Sequence, residues 1–122
     1  MRSDRAAFQV EQINDVLIIV PTWQACDLNS DRCDLEANRI WMTLKTQGIA
    51  TVVVDFQHIH HFRKYLLVHL LRWWSGVGHR PGKMRLCNVP DVGLEALRCL
   101  RFDRLWEIHS SRSEALQSLR QA

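Results

Sequence analysis

The stretch from Thr51 to Trp74, TVVVDFQHIHHFRKYLLVHLLRWW, restricts the fold of this chain more than any other. It begins with an unbroken β-branched run, Val52-Val53-Val54, which suits a strand buried on both faces. A polar turn carrying His58, His60 and His61 follows. Leu66, Leu67, Leu70, Leu71 and Trp74 then recur at three- and four-residue intervals, the rhythm of an amphipathic helix. The expected elements are a strand over about Ala50 to Phe56 and a helix over about Arg63 to Ser75. A central strand feeding a helix places the loop between them at the strand's carboxyl end, where α/β sheets usually carry function. Asp55 to Tyr65 is therefore the candidate functional segment.

The other elements arrange themselves around this one. Phe8 to Ile13 alternates apolar and polar residues, Asn14-Asp15 interrupts, and Val16 to Val20 resumes, which predicts a β-hairpin with the first strand at the sheet edge. Pro21 ends the second strand, since it has no amide to donate. A polar loop, Thr22 to Asp31, contains Trp23 and Cys26. Ser30 or Asp31 then caps a helix running to about Thr46, with Cys33, Ala37, Ile40, Trp41 and Leu44 on its buried side and Gly48 as a left-handed stop. Beyond the central helix, Gly76 to Gly82 is dense in helix breakers and predicts a surface loop. Lys83 to Val89 is expected as a fourth strand. Pro90 suits the first turn of a third helix with Val92, Leu94, Ala96, Leu97 and Leu100 as its apolar positions. Leu105 to Ile108 gives a short last strand, and Ser110 or Ser111 caps a final helix with Ala115, Leu116 and Leu119 apolar. The order β-β-α-β-α-β-α-β-α implies a single α/β domain with a mixed, mostly parallel sheet of about five strands covered by helices.

Composition excludes several classes. At 122 residues, 47% hydrophobic and 24% charged, the chain has the make-up of an ordinary soluble domain. No apolar run reaches the ~18 residues of a membrane span. The opening residues, MRSDRAAF, lack an apolar signal region, so a cytoplasmic protein is expected. The net charge of +3 is spread along the chain without a basic block, which argues against nucleic-acid binding. Cys26, Cys33, Cys87 and Cys99 form no CxxC pair, which fits buried or free thiols, although the count alone leaves room for two disulfides.

With these elements in order, the chain resembles a STAS domain, the fold of bacterial anti-sigma-factor antagonists and of sulfate-transporter tails. The resemblance spans about Phe8 to Leu119. It rests on the hairpin entry, on VVVDF in the third strand and the leucine-rich helix after it, on GKMRLCNVP leading into LEALRCLRFDRLWEI, and on the serine-capped helix with SEAL. It implies a non-catalytic, protein-binding domain whose partner is an anti-sigma factor or a switch-type kinase of the histidine-kinase ATPase class. Members that act as phosphorylation switches carry Asp-Ser-Ser-Gly at the third strand-to-helix junction. Laid on this chain, those positions are Arg63, Lys64, Tyr65 and Leu66. Lys64 has no hydroxyl, so the phosphoserine switch does not carry over to it.

A helix start carries roughly half a positive charge, so cations there cost several tenths of a kcal/mol each unless an anion answers them. Arg63 and Lys64 are thus either solvated side chains or a docking point for an acidic or phosphate-bearing partner. Tyr65, His69, Arg72 and Trp73 lie beside the leucine stripe and combine the aromatic and arginine content of an interaction hot spot, with core packing of Trp73 as the alternative. His58 and His60, two apart on an extended segment, share a side and could share a metal, but no paired cysteine–histidine spacing completes a site. Asp55 suits a turn or cap. No GxSxG, GxGxxG or Walker pattern is present, so neither an enzyme nor a cofactor is expected. Two further readings stand beside the regulatory one. One is a scaffold homologue that self-associates, to which five tryptophans lend aromatic surface. The other is an anion or small-ligand sensor using Asp55 to Tyr65 with its His58, His60 and His61.

Overall fold

The computed structural model describes residues 7–22, 30–62, 64–80 and 82–120. Trp23 and Cys26, in the expected polar loop, lie outside the described residues, as does Arg63. The elements are β1 (Phe8–Ile13), β2 (Val16–Pro21), α1 (Ser30–Thr46), β3 (Thr51–Asp55), α2 (Lys64–Gly76), β4 (Met84–Cys87), α3 (Asp91–Cys99), a 3-10 turn (Phe102–Arg104), β5 (Glu107–His109) and α4 (Arg112–Arg120).

The strands form one sheet in the order β1-β2-β3-β4-β5. β1 pairs antiparallel with β2 through a hairpin whose Asn14 sits at φ 56, a left-handed conformation that asparagine tolerates. The remaining neighbours run parallel. Because the parallel strands are laid down in one direction, right-handed crossovers carry α1, α2 and α3 to the same face. The core divides accordingly. Leu17, Ile19, Val52, Val54, Met84 and Leu86 face that side. Their alternates Ile18, Val20, Val53 and Cys87 face α4, which brings Ala115, Leu116 and Leu119 to the opposite side. Burial on both faces is why the central strands are continuous apolar runs without alternation.

Several boundaries differ from those the sequence predicts, for local reasons. The last strand begins at Glu107, not Leu105, because Arg101 turns left-handed at φ 63 and winds Phe102–Arg104 into a 3-10 turn. Leu105 and Trp106 amides both donate to the Phe102 carbonyl there, which commits them to the turn. Gly76 belongs to α2, where a Cβ would stand 3.1 Å from Leu44 Cβ, so the missing side chain lets α1 and α2 approach. Pro90 caps α3 from outside instead of entering its first turn. Of the apolar positions expected on α3, Leu97 is buried while Val92 and Leu100 are exposed.

Candidate functional site

The segment from β3 to α2 is an elbow held from beneath by Asp55. This aspartate is 1% exposed and its carboxylate is fully engaged. Oδ1 accepts from the Gln57 amide at 3.1 Å, an Asx turn that bends the chain out of the strand, and from Asn88 Nδ2 at 2.9 Å. Oδ2 accepts from Gln57 Nε2 at 3.0 Å and from Arg112 Nε at 2.8 Å. Asn88 leaves β4 at φ 56, and its amide reaches the His109 carbonyl at 3.3 Å. One buried carboxylate therefore joins the elbow, the β4–α3 turn and the first residue of α4. Asp55 is a turn residue, as its sequence position suggests, and also the anchor of a buried ion pair that the sequence does not reveal. Beside it, burial and then the Asp55 charge push the Cys87 thiol up to about 12, against the pull of Arg112. Cys87 is accordingly a protonated core residue and no nucleophile.

Beyond Gln57 the loop alternates between anchors and exposed residues. The Ile59 amide donates to the Phe56 carbonyl at 2.9 Å and its side chain is buried. Phe62 leans on Phe56, ring centres 5.5 Å apart, and rests against α3 where Gly93 has no side chain. A Cβ at Gly93 would stand 2.7 Å from Phe62 Cδ1 and 2.8 Å from Val89 Cγ1. His58, His60 and His61 are exposed between these anchors. Among the described residues, no group of three His, Cys, Asp or Glu side chains stands close enough to hold a metal ion.

Lys64 is the first residue of α2 and is exposed, and Tyr65 follows it in the same turn. No acidic residue lies in that first turn, and no ion pair to Lys64 forms among the described residues. The start of α4 offers the contrast. Arg112 occupies the same kind of position, yet it is answered by Asp55 at 2.8 Å and Glu11 at 3.4 Å. The signal for that pairing was present in the sequence, since a cation opening a helix calls for an anion, but nothing local named Asp55 as the partner.

The remaining residues expected on a binding face separate from the elbow. His69 and Trp73 are 1% and 0% exposed, so neither presents a surface to a partner. Trp73 donates its indole N–H to the Ala37 carbonyl at 3.1 Å and meets Phe8 edge-on at 5.1 Å. His69 stacks on Trp73 at 6.0 Å, and burial, reinforced by the Arg72 cation, lowers its pKa against the opposing pull of Asp34. The inward face of α2 is thus Leu66, His69, Leu70 and Trp73, while Val68 and Leu71 are exposed. Five apolar residues on two adjoining sides made the stripe ambiguous, and a buried histidine does not register as apolar. Arg72 is half-buried in a groove of about 660 Å³ between α1 and α2, beside Asp34, Trp41 and Ser75, where its Nη1 reaches the Asp34 carbonyl at 3.4 Å.

Solved structures with this architecture decide the fold. An anti-sigma-factor antagonist (STAS) domain protein from Planctomyces limnophilus superposes with a TM-score of 0.74 at 19% identity, over 91% of this chain and 96% of that one. The chain has the STAS fold. A putative anti-sigma factor antagonist from Thermotoga maritima gives a TM-score of 0.76 at 16% identity, covering 98% and 99% of the two chains. The Bacillus cell fate determinant SpoIIAA in its phosphorylated form gives 0.71 at 13% identity over 93% and 99%. A scan against protein-family models gave no match, and no curated protein sequence matched the chain. In this STAS fold the elbow occupies the β3–α2 junction, with Lys64 opening the helix. Among the described residues, no helix is long and apolar enough to cross a membrane.

Proposed function

We propose that this STAS domain is a non-catalytic regulatory module that binds a protein partner, an anti-sigma factor or a switch-type ATPase kinase, through its β3–α2 elbow. The single observation behind this reading is the contrast between two helix starts. The cation opening α4 is neutralised inside the molecule by Asp55, whereas the cation opening α2 faces outward with no acid in its turn. Lys64, with Arg63 before it in the chain, offers an acidic patch on a partner both a fixed positive charge and the free amides of a helix start. The anchoring of the loop by Ile59, Phe62 and Asp55 supports the reading further, because a rigid docking point loses less entropy on binding. Where relatives are expected to present a hydroxyl, this chain has Lys64, so docking here is constitutive and not gated by a phosphate at that position.

The test takes anti-sigma factors and switch kinases from the same genome and measures their affinity for the chain by calorimetry. Arg63→Asp with Lys64→Asp is expected to weaken the authentic partner at least tenfold, and raised salt is expected to weaken the unaltered pair. Unchanged binding after charge reversal, with the variant still folded, would remove the elbow from the interface. Incubating the same kinases with ATP and mapping phosphate on the chain checks whether another hydroxyl serves as a switch.

A further inference from the structure

Among the described residues, β1 is an edge strand with no strand paired to its outer side. It pairs with β2 over all six of its residues without a bulge. The Thr22 amide donates to the Ala7 carbonyl at 2.8 Å, which fixes the parity of the ladder. Gln9, Glu11 and Ile13 turn their backbone groups toward β2, as does the Ala7 carbonyl, and Phe8, Val10 and Gln12 turn theirs outward. Glu36 Oε1 takes the Ala7 amide at 2.9 Å and the Phe8 amide at 3.3 Å. The Phe8 carbonyl and both backbone groups of Val10 and Gln12 are left facing away from the sheet. Natural edges are usually blunted by lysine, proline or a bulge, and the sequence of β1, FQVEQI, has none of these. Instead Val10 and Ile13 are 48% and 40% exposed. The one charge on the strand, Glu11, is already met by Arg112 of the same chain at 3.4 Å.

We infer that two copies of this chain join antiparallel along β1, with Val10 on the two-fold axis, to give one sheet continuous across both. Parity and side-chain chemistry select this occupant and this register. An isologous antiparallel pair must set each outward-turned residue against another, so the axis passes through a residue. Axes at Phe8, Gln9, Gln12 or Ile13 overlap the two strands over three residues at most, which leaves Val10 or Glu11 to compare. An axis at Glu11 opposes identical carboxylates, which is destabilising. An axis at Gln12 sets Glu11 against apolar Ile13 and Val10 against the left-handed turn residue Asn14, beyond the strand. An axis at Val10 sets Val10 against Val10, Gln9 against Glu11 and Ala7 against Ile13. Each is a compatible pair. The Val10 residues then exchange both of their hydrogen bonds, and each Gln12 amide donates to the opposite Phe8 carbonyl. So short a seam lies well below the ~1,200 Å² of a standard interface, so the dimer is weak and concentration-dependent. The inference does not involve the elbow, and Lys64 variants leave it unaffected.

The experiment is sedimentation equilibrium of the full chain from about 10 µM to 1 mM, a span suited to weak interfaces. The unaltered chain is expected to shift from monomer to dimer with concentration. Val10→Lys, which puts like charges on the axis, is expected to remain monomeric with an unchanged thermal transition. Val10→Pro gives a second variant, because the lost amide faces away from β2 and the hairpin ladder survives. A cysteine pair tests the register in a Cys99→Ser background. Val10→Cys is expected to form a disulfide-linked dimer on mild oxidation, and Gln12→Cys, which opposes Phe8, is not. A chain that stays monomeric throughout, a dimer indifferent to folded Val10 variants, or cross-linking through position 12 as readily as through 10 would each overturn the proposal.

Discussion

Arg112 and Lys64 each open a helix with a positive charge, and the fates of these two side chains separate stability from recognition. Arg112 serves the fold, since the Asp55 carboxylate it meets at 2.8 Å is buried. Asp55→Ala strands the Asn88 amide and leaves Arg112 with only Glu11 at 3.4 Å. Breaking one partner of a buried pair costs roughly 3–5 kcal/mol, and partial exposure of Arg112 moves the expected loss to about 2–3 kcal/mol. Urea denaturation measures it, and adding Arg112→Met to Asp55→Ala is expected to recover part of the loss. Two titrating residues add pH limits. The pKa of His69 is lowered by burial, so below about pH 6.5 the unfolded chain takes up a proton that the folded one refuses. Stability therefore falls as pH drops beneath that value, and His69→Phe is expected to flatten this acid limb in thermal melts. The Cys87 thiol is raised, so its contribution is complete below its ordinary value of 9.0 and is lost as pH climbs toward about 12. In the folded protein a thiol reagent should modify exposed Cys99 and reach Cys87 only on unfolding.

At the scale of elements, the order of strands and helices was legible because each carries its own period. Val52-Val53-Val54 announced a strand covered on both faces, and β3 is buried throughout. Asn14-Asp15 announced the hairpin. What was not legible depends on contacts between elements. The face of α2 that turns inward is chosen by Phe8 and Ala37, far away in sequence, which is why His69 and Trp73 entered the core and left the expected binding face. The elbow's shape likewise depends on α3, since Phe62 occupies the space a side chain at Gly93 would need. Gly93→Ala is expected to lower stability by about 1 kcal/mol, overpacking outweighing the usual helical gain of alanine over glycine. In a Phe62→Ala background the cost is expected to shrink without vanishing, because Val89 Cγ1 still stands 2.8 Å from the added carbon. A double-mutant cycle by chemical denaturation reads that coupling.

For the molecule as a whole, the two faces of the sheet are covered unequally. Among the described residues, three helices share one side, while α4 alone covers Ile18, Val20, Val53 and Cys87 on the other. It is fastened there by Arg112 to Asp55 at one end, and Ser118 accepts from Arg85 at 2.7 Å further along. Ala115 is fully buried against the sheet, so Ala115→Glu is expected to release α4 and expose that apolar face. Increased binding of a hydrophobic dye at temperatures where the parent chain is quiet would register it.

The sheet also has a consequence for how the chain comes to be folded. Every ladder in it joins strands that follow one another in the chain, β1 with β2 and so on to β5, so no strand waits for a distant one. A chain leaving the ribosome can add each strand to the growing edge as it emerges, with the loop-closure cost kept small at every step. In a chain folding in that order, α4 follows the five strands, and its Arg112 meets Asp55 on a sheet already assembled.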